Sequence, residues 1–177
     1  ADARFAHILW SLGALMSALV LLSTVFDSCA DSLEQKDFSP FVWGEMLSAA
    51  VLLLSVPVFA AATVRTWLWP ATNPVFGAEF FAAPVGLIVL LAGFGIVFEM
   101  AARIGRVQTR PVAYIMAATA ASGVVAWTKS TLVHGAESLT AKMVGNVLRA
   151  LGSLPDGCLA GLWLAGTWKG RGARRTP

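Results

Sequence analysis

Residues 80–102 read FFAAPVGLIVLLAGFGIVFEMAA, an apolar run whose single ionisable group, Glu99, falls near its far end. At about 1.5 Å per residue, a helix over this run crosses a hydrocarbon core about 30 Å thick. Backbone polar groups in lipid must pair within their own segment, so the run predicts a membrane-spanning helix. Three arginines follow it, Arg103, Arg106 and Arg110, where basic residues anchor a helix end at lipid headgroups.

Upstream of this run the chain breaks at Pro70-Ala-Thr-Asn73-Pro74, and before the break lies a second apolar stretch, about 41–67. Glu45 sits in its first turns and Pro57 in its middle, where a lost hydrogen bond predicts a kink. Arg65, Trp67 and Trp69 close it with an interfacial pattern. Asp27 to Pro40 is polar and acidic and reads as a solvated loop, with Ser39-Pro40 marking the restart. Before it, residues 5–26 form the first span, which is too long an apolar run to be expected as a cleavable signal peptide. Downstream, Pro111 opens a fourth span, 111–133, rich in Ala, Ser and Gly.

The C-terminal third is less regular. Leu139, Met143, Val147, Leu148 and Leu151 have amphipathic spacing, suited to a helix at the interface or covering a partner. Pro155-Asp156-Gly157 reads as a break, and the apolar stretch to Trp168 is too short to span alone. Segment 137–168 is therefore expected as an amphipathic helix with a half-span, or as one bent fifth helix. A basic tail, 169–177, ends the chain.

The expected fold is an all-α integral membrane protein, a single membrane domain over 1–177. It is a bundle of four transmembrane helices plus a C-terminal amphipathic, half-spanning or fifth helix. Composition agrees: of 177 residues 57% are hydrophobic and 13% charged, against about 25% charged in ordinary soluble domains. Orientation stays open. Four spans with the N-terminus inside put the basic tail inside but the three arginines outside. Five spans with the N-terminus outside put both basic clusters inside, together with the acidic loop.

The net charge of +3 lies mostly in Arg103–Arg110 and in Lys169, Arg171, Arg174 and Arg175. Both clusters flank apolar segments, so lipid headgroups are the expected partners and nucleic acid is not. Trp168, with Trp67 and Trp69, belongs to the same headgroup-anchoring set, and the seven tryptophans gather near span ends as membrane belts do.

Several residues are candidates for chemistry. His7 and His134 are the two histidines, and neutral imidazole is a common axial ligand of haem or chlorophyll. Both stand near span ends, which favours interfacial or packing roles, so no cofactor is expected. Glu45 and Glu99 are acids inside apolar segments, where a carboxylate marks a proton or ion path or a structural ion pair. The expected structural partners are Arg103, four residues after Glu99, and Arg65 near the end of the second span. Gly157-x-x-x-Gly161 and Gly166-x-x-x-Gly170 thin the last segment for close helix packing. The Cys29–Cys158 spacing implies no disulfide framework, and no soluble-type catalytic motif is present in the sequence.

From about Pro70 to Lys129 the chain resembles the Tim-type inner-membrane family of translocase subunits and a related accessory subunit of respiratory complex I. The residues that carry it are Asn73-Pro74, the glycine-bearing span from Gly86 to Arg106, and Pro111-x-x-Tyr114 with Ala120 to Gly123. The resemblance implies a mitochondrial inner membrane; a photosynthetic membrane is the other expected host. The sequence thus predicts a non-catalytic subunit that packs against other membrane subunits and lipids to assemble or stabilise a larger complex. Three other expectations stand beside it: a small transporter or channel using Glu45 and Glu99, a tetraspan-type scaffold, and a haem- or pigment-binding anchor.

Overall fold

The computed structural model describes residues 2–30, 38–68, 78–104, 109–132 and 153–172, with positions 143, 146, 147 and 150. They form five long helices: α1 (Asp2–Ala30), α2 (Pro40–Leu68), α3 (Ala78–Arg103), α4 (Thr109–Leu132) and α5 (Leu154–Gly172). The first four are long and apolar enough to cross a membrane, over Phe5–Asp27, Pro40–Arg65, Ala82–Arg103 and Thr109–Lys129. The expected four-span bundle with an additional C-terminal helix is the fold of the chain.

Local chemistry sets the helix starts. Ser39 caps α2: its carbonyl accepts from Trp43 N at 3.1 Å and its hydroxyl from Val42 N at 3.4 Å. Pro40 follows at the first helical position, where its missing N–H costs nothing. The same logic corrects the reading of Pro155-Asp156-Gly157 as a break. Ser153 O accepts from Gly157 N at 3.1 Å, so these residues form the first turn of α5. Proline in a first turn needs no donor, and an acid there meets the positive end of the helix dipole. Pro57 lies inside a continuous α2.

The helices run up and down. α2 packs most extensively on α3, then on α1, while α4 fits against α3 and α2, and α5 against α4 and, more lightly, α3. α2 and α3 approach at Gly44 and Gly95. A Cβ on Gly44 would lie 2.8 Å from the Leu91 carbonyl oxygen and 2.9 Å from Gly95 Cα. Ser48 Oγ donates to Ile88 O across the same seam at 3.1 Å. Gly123 lets α4 close on α3, since a Cβ there would meet the Leu87 side chain at 2.6 Å. The core gathers Val51, Leu91, Phe98, Val112, Met116, Ala120 and Leu159 from α2 to α5.

α1 is peripheral: among the described residues it contacts α2 and no other helix. Its Phe5, Leu9, Trp10, Leu12, Met16 and Val20 are exposed, and in lipid such a surface faces acyl chains. Trp127, two residues from the end of the fourth span, is 6% exposed and turned toward the bundle. The amphipathic segment 137–152 lies mostly outside the described residues, but its Met143 and Val147 are exposed.

Candidate functional site

Two places concentrate the singled-out residues. The first is the end of the bundle where α2 and α4 begin and α3 finishes. Arg103 Nε donates to Glu99 Oε1 at 3.0 Å, the i, i+4 ion pair that the spacing predicts. The Arg103 side chain is 78% exposed and that of Glu99 20%. The guanidinium therefore reaches outward from a carboxylate held against the bundle. The Ser39 hydroxyl and the Phe41 amide, at the start of α2, lie beside the same carboxylate. An anion in this position meets the positive end of the α2 dipole. Glu99 Oε2 is buried without a hydrogen-bond partner among the described residues. Glu45, on α2, is half-buried. Arg110 is exposed at the start of α4, and Arg106 lies outside the described residues.

The second place is a cleft of about 370 Å³ between α1, α2 and α3. His7 and Trp10 of α1 form one wall, Pro84, Val85 and Ile88 of α3 the other, and α2 the floor, including Ser55 and Phe59. His7 and Trp10 meet the Phe59 ring edge-on, with centroids 5.7 and 5.9 Å away. Ser11 Oγ donates to His7 O at 2.8 Å, fixing this turn of α1. Ser55 Oγ donates to Leu52 O at 3.3 Å, so its hydroxyl hydrogen is committed to the helix itself. The cleft is thus overwhelmingly apolar. His134 lies outside the described residues, so no second imidazole is placed opposite His7.

The glycine expectation shifts position. Gly157 and Gly161 are exposed, and among the described residues a Cβ on either would meet nothing within 4 Å. Gly166 is buried, and Gly170 belongs to α5. The backbone-to-backbone contact is made at Gly44 and Gly95 instead. Trp67 and Trp168 fall within α2 and α5, while Trp69 is outside the described residues.

Sequence reasoning passed over three buried polar groups on α4 and α5. Thr119 Oγ1, Lys129 Nζ and Asp156 Oδ1 are buried without hydrogen-bond partners among the described residues. Lys129 ends an apolar span and Asp156 follows a proline, so both resemble ordinary helix-end residues; their burial depends on how α4 and α5 pack. Cys158 is a free, exposed thiol. Among the described residues no group of three or more His, Cys, Asp or Glu is placed to hold a metal ion.

Comparison with known proteins gives a distant likeness. The chain is 26% identical to cytochrome c oxidase subunit 1 of Cereibacter sphaeroides over 192 aligned residues, covering 99% of this chain and 34% of the relative. It is 30% identical over 112 residues to cytochrome c oxidase subunit 1 of Debaryomyces hansenii, covering 55% of this chain and 21% of the relative. A probable intron-encoded endonuclease aI3 of the same yeast matches at 30% over 112 residues, 16% of its length. The chain thus spans about a third or less of the curated relatives it matches. No family model and no solved structure matches it. The chain is an integral membrane protein with a distant similarity to an oxidase subunit.

Proposed function

We propose that the chain is a non-catalytic helical subunit of a respiratory membrane complex, packing against neighbouring subunits to assemble or stabilise them. The observation that carries the respiratory-complex part of this reading is the similarity to cytochrome c oxidase subunit 1 along 99% of the chain. Exposed surface supports it. Among the described residues nothing covers the Gly157–Gly161 face of α5, and beside it Trp163 and Leu164 are exposed; Met143 and Val147 offer further apolar area. Small residues flanked by large apolar ones suit a helix that receives another helix in lipid. The host membrane in this reading is energy-transducing, the mitochondrial inner membrane or its bacterial counterpart, since the relatives come from a bacterium and a yeast.

The test is to solubilise the protein gently from its own membrane and weigh the intact assembly by native mass spectrometry. Co-migration with oxidase-type subunits at fixed stoichiometry is the expected result. A monomer or homo-oligomer would overturn the reading.

One observation favours a rival, a small transporter or channel using Glu45 and Glu99: Glu99 Oε2 is buried without a hydrogen-bond partner among the described residues. That reading requires Glu45→Gln and Glu99→Gln each to abolish flux in proteoliposomes while the fold survives. Variants that change only stability or assembly would exclude it.

A further inference from the structure

We propose that the cleft between α1 and α3 is a structural lipid site, occupied by an acyl chain of a phospholipid from one leaflet. The proposal stands on the membrane-spanning fold and does not depend on which complex hosts the chain.

The cleft exists because α1 and α3 both dock on α2, while among the described residues their backbones do not approach each other. What separates them is a trough of about 370 Å³, with Trp10 and Val85 exposed at its edges. Both edges belong to flanks that meet lipid, so the trough is entered sideways from the bilayer. Its floor lies within one leaflet. Leu52, at one end of the floor, stands at the middle of the apolar window Pro40–Arg65. His7 and Trp10, at the other end, belong to the first turns of the α1 window Phe5–Asp27. An amphipathic ring such as that of Trp10 is at home at the membrane–water boundary. The trough therefore runs from near the bilayer centre toward the headgroup level, along the path of an acyl chain.

An acyl chain fits the space. From Leu52 to Phe59 the floor is about 10 Å long at the helical rise. A single file of carbon atoms at contact distances of about 3.5–4.0 Å takes roughly 130 Å³ over that length. The cleft accepts one chain, with room for the second chain of the same lipid. Chemistry agrees: Ser55 donates to its own helix, so little on the floor asks for a polar ligand. Edge-on contacts to Phe59 hold His7 and Trp10 at the rim rather than across the trough.

The experiment is native mass spectrometry with lipid identification on the full chain in mild detergent, for wild type, Val85→Trp and a control, Val125→Trp. Val85 forms part of the wall on α3 and is 48% exposed; Val125 is 54% exposed on α4, away from the cleft. Wild type and Val125→Trp are expected to retain phospholipid through detergent washing, and Val85→Trp to lose it several-fold with the fold intact. Complete delipidation of the wild type would overturn the proposal, whether or not the variant folds. So would equal retention by Val85→Trp, or a retained molecule that is not a phospholipid. None of these results bears on subunit partners, which the stoichiometry of the assembly reports separately.

Discussion

Among the described glycines, Gly44 makes the closest approach to the backbone of another helix. A methyl group there would press on backbone atoms, the Leu91 carbonyl oxygen at 2.8 Å and Gly95 Cα at 2.9 Å, and backbone cannot rotate aside. Gly44→Ala should therefore push α2 from α3 and cost about 1–3 kcal/mol, the usual penalty for overpacking. Gly86→Ala is the matched control, because nothing lies within 4 Å of its added Cβ. Reversible unfolding in mixed micelles should separate the two; equal stability would refute the close approach. Ser48 works at the same seam, and Ser48→Ala should cost about 0.6 kcal/mol, the average for an interhelical hydrogen bond in a membrane protein. Glu99→Gln is expected to cost less than about 1 kcal/mol, because its partner Arg103 reaches solvent or headgroups. The importance of Gly44 was not legible in the sequence. Glycines at 86, 93, 95, 157 and 161 look equivalent there, and only the direction in which each helix faces its neighbour separates them.

At the scale of elements, the spans were legible to within a few residues. An apolar run in lipid has one means of pairing its backbone, and Ser39-Pro40, Arg65, Arg103 and Lys129 mark its ends by chemistry that depends on sequence alone. The start of α5 was not legible, because proline and glycine break a helix interior yet are tolerated in a first turn, and the sequence does not say which turn this is. α5 is secured through Leu159, which is fully buried against the core, with Leu162 packed beside it. Leu159→Ala should leave a cavity and cost about 2–5 kcal/mol, concentrated on the docking of α5. Hydrogen exchange should then rise across Leu154–Gly172 while α2 and α3 keep their protection. Uniform loss of protection would show that α5 is integral to the bundle rather than docked on it.

Within the described residues, α2 and α3 form the centre of the molecule, with α1 packed on α2 at one flank and α4 and then α5 at the other. Much of the outer surface is apolar, including most of α1 and the Gly157–Gly161 face of α5. Lipid can cover α1, and the cleft beside it fits an acyl chain. Part of the candidate site was readable in advance: the Glu99–Arg103 pair follows from i, i+4 spacing, and His7 was singled out by type. The cleft was not readable, since it arises from two helices docking on a third while, among the described residues, their backbones stay apart. The resemblance to an oxidase subunit joins these features into one account, in which the exposed faces are seams with other subunits. The most direct measurement is native mass spectrometry of the assembly released from its own membrane in mild detergent. Oxidase-type subunits bound at fixed stoichiometry are the predicted result; a protein that migrates alone, or with copies of itself, would contradict the account.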